Sequence, residues 1–181
     1  MPADHPQVQR YARPAVLLHW ACALAIGLAC GSGLYLSGLA MSLLKLQLMN
    51  WHKWTGMTTL ALLALRMAWR ARHRPPPLPA GMTAAQRSLA AWVHGGLYGL
   101  MLAVPLLGWA YSSAAGFPIV WFGVLALPDW VPRDRQVTAL LKPLHQAASY
   151  ALLLLAAAHV GAALKHALLD RDGLMQRMRL W

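Results

Sequence analysis

The chain has 181 residues, 59% of them apolar and 12% charged, with 16 Lys and Arg against five acids, all Asp, and no Glu. A soluble domain carries about twice that share of charge, and one this small cannot hide so much apolar side chain, so lipid must take the rest. The pI near 10.7 does not imply a nucleic-acid partner, because the basic residues stand at the ends of apolar runs rather than along one polar face.

Four apolar stretches reach or approach the roughly 20 residues needed to cross a hydrocarbon core. The expected fold is all-α, an integral membrane bundle of four transmembrane helices in one domain, residues 1–181. The first helix covers about 14–38 and holds His19, Cys22 and Cys30. The two cysteines are about 12 Å apart along one helix, too far to pair. No CxxCH sequence occurs, so covalent haem attachment is not expected, and both cysteines read as small buried hydrophobes. Ala29-Cys30-Gly31 resembles a lipoprotein cleavage site, but the apolar run continues past it and no cleavage is expected.

The second helix covers about 50–69, opens on His52, and ends on Arg66 and Arg70. Pro75-Pro76-Pro77-Leu78-Pro79 then makes a stiff spacer. The third helix covers about 89–111 and carries His94 near its start. The next loop, with Phe117-Pro118, Leu127-Pro128 and Val131-Pro132, is partly apolar and is expected on the outer membrane surface. The fourth helix covers about 137–169 and contains His145, His159 and His166. Trp20, Trp51, Trp54, Trp69, Trp92, Trp109, Trp121 and Trp130 fall near helix ends or in that loop, as interfacial belts require. His5 and His73 lie in polar segments and read as solvated.

Lys45, Lys53, Arg133, Arg135 and Lys142 fall on one side of the predicted topology, and the other Lys and Arg on the side of both termini. The excess places both termini in the cytoplasm. The expected location is a bacterial inner membrane, crossed several times.

Ionisable side chains at membrane depth are costly and are usually paired or functional. His159, inside Leu152-Leu153-Leu154-Leu155-Ala156-Ala157-Ala158-His159-Val160-Gly161, has no sequence neighbour to satisfy it. A core histidine bonded to another helix is one reading; a metal ligand is the other, since neutral imidazole suits iron. His145 and His159, 14 residues apart, face the same way about 21 Å apart along one helix.

His19 matches His159 in depth, and His52 matches His145, so two bis-histidine sites stacked across the bilayer would fit two non-covalent b-type haems. His166 and His94 also lie at the inner level, and depth alone leaves His166 open as the partner of His19. Gly56 and the small residues flanking His159 leave room for a flat macrocycle, or simply for close helix packing. Zinc usually draws on Cys or carboxylate as well. Arg66 and Arg70 suit haem propionates or a positive-inside anchor equally.

These residues together resemble the bacterial cytochrome b561 family of small di-haem membrane proteins, which includes superoxide oxidase. The likeness rests on Leu18-His19-Trp20, Trp51-His52 with Gly56, and Arg66 to Arg70. It continues through His94-Gly95-Gly96-Leu97-Tyr98, Pro105-Leu106-Leu107-Gly108-Trp109, and His145 with His159. It implies ligands on helices one, two and four: His19 with His159, and His52 with His145. His94 then becomes a neighbour of a ligand or a propionate contact. Gln146 departs from the acid expected in some relatives.

The resemblance implies electron transfer through two haems, with superoxide oxidised at the outer face and membrane quinone reduced. The outer cations would attract a small anion. His166 is the candidate polar contact for quinone. Two other readings stay open: an electron-transfer subunit for a partner dehydrogenase or soluble cytochrome, and a haem or metal binding or transport protein.

Overall fold

The structure, a computed structural model, describes residues 10–77 and 81–180. His5, and Leu78 and Pro79 of the spacer, lie outside the described residues.

Four long helices dominate: α1 (Arg13–Gly38), α2 (Leu43–Arg72), α3 (Ala84–Ala114) and α4 (Arg135–Lys165). Each of the last three begins two to seven residues before its apolar run, where a side chain caps it. Ser42 accepts from the Lys45 amide at 3.2 Å. Thr83 and Gln86 form a reciprocal capping box. Asp134 accepts from the amides of Gln136 and Val137 at 2.6 and 3.0 Å. α4 ends earlier than the apolar run suggests, passing into a π-helical turn, His166–Asp170, and then a 3₁₀ turn, Leu174–Met178.

α1 packs on α2, α2 on α3, and α3 on α4. Each helix contributes one residue to the central cluster of Cys22, Leu63, Met101 and Leu152. Cys22 is buried and Cys30 half-buried, and both are free thiols. Outside the bundle, Leu24, Leu28, Leu154 and Val160 are all more than half exposed. An apolar exterior of this kind suits lipid, not water.

Among the described residues, three helical segments are long and apolar enough to cross a membrane: Arg13–Gly38, Ala84–Ala114 and Arg135–Asp170. α2 is more polar. Part of that polarity is internal, since Thr55, Thr58 and Thr59 each return their hydroxyl to the carbonyl four residues back, at 2.8–2.9 Å.

The loop after α3 folds back over the bundle end. Its small hairpin pairs β1 (Val120–Trp121) with β2 (Leu125–Ala126). Phe122 and Gly123 turn it at φ 52° and 74°, the primed-turn pattern. Three interfacial tryptophans hold the loop down. Trp54 donates to the Val120 carbonyl at 2.6 Å, Trp121 to Thr58 Oγ1 at 3.3 Å, and Trp109 to the Pro128 carbonyl at 3.2 Å.

Candidate functional site

The histidines of four different helices meet in two groups. His52 of α2 faces His145 of α4 with ring centroids 6.2 Å apart and planes at 80°. His19 of α1 faces His159 of α4, also at 6.2 Å, with planes at 73°. His94 of α3 comes closer still to His159, at 5.3 Å.

Those spacings separate the pairs chemically. A metal–nitrogen bond of about 2.0 Å plus about 1.1 Å from nitrogen to ring centre, taken twice, gives roughly 6.2 Å for two imidazoles on opposite sides of one metal. The His52–His145 and His19–His159 pairs match this, and His94–His159 is too short. Rotating either ring about the nitrogen–metal–nitrogen axis leaves the distance unchanged, so steep interplanar angles are compatible.

Hydrogen bonds set the ring protons. His145 Nδ1 lies 3.0 Å from the Val104 carbonyl oxygen, which can only accept, so Nδ1 donates and Nε2 keeps its lone pair. His52 Nδ1 lies 3.0 Å from Ser32 Oγ, whose own hydroxyl donates to the Ala29 carbonyl at 3.0 Å. The same tautomer follows for His52.

The inner group differs. Arg66 places a guanidinium nitrogen 3.0 Å from His19 Nδ1 and donates through Nε to the Tyr98 hydroxyl at 3.2 Å. Guanidinium only donates, so His19 Nδ1 accepts and Nε2 carries the proton of the neutral ring. Metal binding through Nε2 must rearrange this contact: either the proton leaves, or Arg66 turns to another acceptor.

Glycines seat the outer rings. A Cβ on Gly108 would lie 2.9 Å from His145 Cε1, and one on Gly33 would lie 3.1 Å from His52 Cε1. The small residues around His159 have another role. Ala157, Ala158, Gly161 and Ala162 are exposed, and nothing lies within 4 Å of where a Gly161 Cβ would be, so they do not serve close helix packing.

The remaining candidates fall outside these pairs. Arg70 is exposed and lines, with Arg66 and Arg74, a small cavity of about 60 Å³. His73 is exposed and stacks on Trp69 at 3.8 Å. His166 has no ring contact with His19; its Nδ1 lies 2.6 Å from Asp172 and 3.2 Å from Asp170. Among the described residues, those three form the one group of His, Cys and acids close enough to share a metal. Lys165 Nζ already sits 2.5 Å from Asp170, so the group reads as an ion-pair network.

Among the described residues, neither histidine pair has a third His, Cys or carboxylate close enough to share one metal ion with it. That disfavours a tetrahedral protein site and suits a metal that brings its own equatorial ligands. Sequence reasoning missed Ser32, Gly33, Gly108 as a ring seat, and Tyr98. Gly108 and Tyr98 carried a signal only through their places in the Pro105 to Trp109 and His94 to Tyr98 segments.

Comparison with known proteins identifies the family. The family model described as prokaryotic cytochrome b561 matches residues 10–180. Cytochrome b561 homolog 2 of Escherichia coli (strain K12) is 28% identical over 177 residues, covering 94% of this chain and 91% of the relative. Cytochrome b561 homolog 1 of the same organism is 27% identical over 175 residues, covering 94% and 97%. Apolar helices, paired half-buried histidines and a match along nearly the whole chain lead to one assignment: the protein belongs to the prokaryotic cytochrome b561 family, membrane cytochromes that bind haem b and transfer electrons.

Proposed function

We propose that the chain carries electrons across a bacterial inner membrane through two b-type haems, one held by His19 and His159, the other by His52 and His145. All four helices span, with both termini cytoplasmic. The observation that carries this reading is the equal 6.2 Å spacing of two histidine pairs drawn from three helices. When bound, haem would supply one-electron chemistry, and with each haem held by a histidine pair that transfer would be outer-sphere. The protein's part is to hold the rings, fix their protons and keep water away.

At the outer face the substrate of this reading is superoxide. Two superoxide anions yield two dioxygen molecules and two electrons; a membrane quinone takes both electrons with two protons. Lys45 and Lys53 are tied to backbone carbonyls of Leu39 and Pro118 at 2.5 and 3.0 Å. Arg133, Arg135 and Lys142 form no ion pair among the described residues, so the face keeps its positive charge. Such a surface speeds the arrival of a small anion. Quinone is assigned to the cytoplasmic end, where His166 presents a ring whose Nδ1 is already engaged by Asp172.

The test is spectroscopic and then kinetic. The detergent-purified protein, oxidised and then reduced with dithionite, is expected to show a sharp six-coordinate b-type α-band at about two haems per chain. Superoxide-dependent quinone reduction by the isolated chain is expected next. A loaded di-haem protein inert to superoxide would make it an electron-transfer subunit for a partner. A colourless chain that takes up no haem would overturn the redox reading.

A further inference from the structure

Residues 10–17 and 179–180 meet at one end of the bundle and border an open cleft of about 500 Å³. Arg10, Arg13 and Arg179 line it, together with Val16, Leu17 and Leu180. The convergence is built. Tyr11 donates its amide to the Arg177 carbonyl at 3.2 Å, and Trp20 Nε1 donates to the Met178 carbonyl at 3.0 Å. Arg177, 7% exposed, lies over the Tyr11 ring and donates to the Pro77 carbonyl at 2.7 Å. These contacts hold the end of the 3₁₀ turn against Tyr11, just before α1, and against Trp20 of α1.

Three exposed guanidinium-bearing side chains thus border one cleft. None of Arg10, Arg13 and Arg179 makes a side-chain hydrogen bond or ion pair among the described residues. Among the described residues, no acid lines the cleft. Asp170 and Asp172 are taken by Lys165 and His166, and Asp134 caps α4 at the far end. Three cations bordering one cleft favour an anion there, and guanidinium suits the oxygens of phosphate. The apolar half of the lining narrows the choice. Leu17, 58% exposed, continues onto the outer surface of α1 toward Leu24 and Leu28, which are also exposed. A ligand with a phosphate at one end and hydrocarbon at the other fits both halves.

We propose that this cleft is a binding site for the headgroup of an anionic phospholipid, with the phosphate at Arg10, Arg13 and Arg179 and the upper acyl chain along Leu17. Basic pockets at the membrane surface are a recurrent way to hold such lipids. The site is independent of the electron-transfer reading, since it uses none of the histidines.

Native mass spectrometry of the full-length protein tests this directly, after exposure to equal phosphatidylglycerol and phosphatidylcholine. One phosphatidylglycerol is expected to remain bound, at least about tenfold over phosphatidylcholine. The Arg13→Gln/Arg179→Gln variant is expected to lose that preference, and Arg72→Gln/Arg87→Gln, outside the cleft, to keep it. No preference in the wild type, equal loss in both variants, or displacement of the lipid by millimolar inorganic phosphate would overturn the proposal.

A second measurement needs no arginine variant. Phosphatidylglycerol with brominated chains should quench a share of tryptophan emission that vanishes in Trp20→Phe, while brominated phosphatidylcholine should not. Equal quenching of wild type and Trp20→Phe by the two lipids would count against the site.

Discussion

His145 Nδ1 and the Val104 carbonyl oxygen stand 3.0 Å apart across the α3–α4 interface, with Gly108 of the next turn beneath the ring. One contact thus orients the imidazole, places its proton and points its lone pair away from α3. The ring can reach the carbonyl only because position 108 has no side chain.

Gly108→Ala should therefore be the most damaging single-methyl change near the outer pair. Its Cβ would sit 2.9 Å from His145 Cε1, an atom that cannot yield without breaking the Val104 contact. A loss of about 1–3 kcal/mol is expected from overpacking, together with loss of one haem, read by thermal unfolding and by haem-to-protein ratio. Gly96→Ala is the control. Its Cβ would meet the tip of Leu155 at 2.8 Å, a flexible end that can turn aside, so both haems should be retained.

Ser32→Ala removes the acceptor for His52 Nδ1 and leaves the ring free to change tautomer. Partners of this kind are worth about 10–100-fold in metal affinity. Competition with apomyoglobin for haem should show one site weakened by that factor and the other unchanged. Equal weakening of both sites would mean Ser32 acts on the fold and not on His52.

His159→Ala and His166→Ala should part company. His159 faces His19 at 6.2 Å, whereas His166 is engaged by Asp172. The first should retain about one haem per chain and the second about two, by pyridine haemochrome assay. Haem loss from His166→Ala alone would reverse the ligand assignment.

Arg66→Gln removes a cation 3.0 Å from His19. A positive charge beside a haem favours the reduced form, so its loss should lower that haem's midpoint potential by tens of millivolts, on the order expected for a half-shielded charge. Potentiometric titration should show one of two potentials moving downward. If both stay in place, Arg66 does not act on the inner pair.

Much of this architecture was legible before any coordinates, because the signals are local. Lipid demands long apolar runs, and a helix repeats its faces every 3.6 residues, so the common face of His145 and His159 follows from their spacing alone. Helix limits were less legible. The caps at Ser42, Thr83 and Asp134 extend α2, α3 and α4 through polar residues that an apolar run does not count.

Only the tertiary structure decided who meets whom. Depth matching allowed His166 or His94 beside His19, but packing put His159 there and brought His94 within 5.3 Å of His159. The Ser32, Val104 and Arg66 contacts join residues on different helices, and no periodicity along one segment encodes them. The arginine cleft is the extreme case, since Arg13 and Arg179 lie at opposite ends of the chain. Covalent spacing determines which residues share a face of one helix; which faces then meet depends on how side chains of several helices fill the same space.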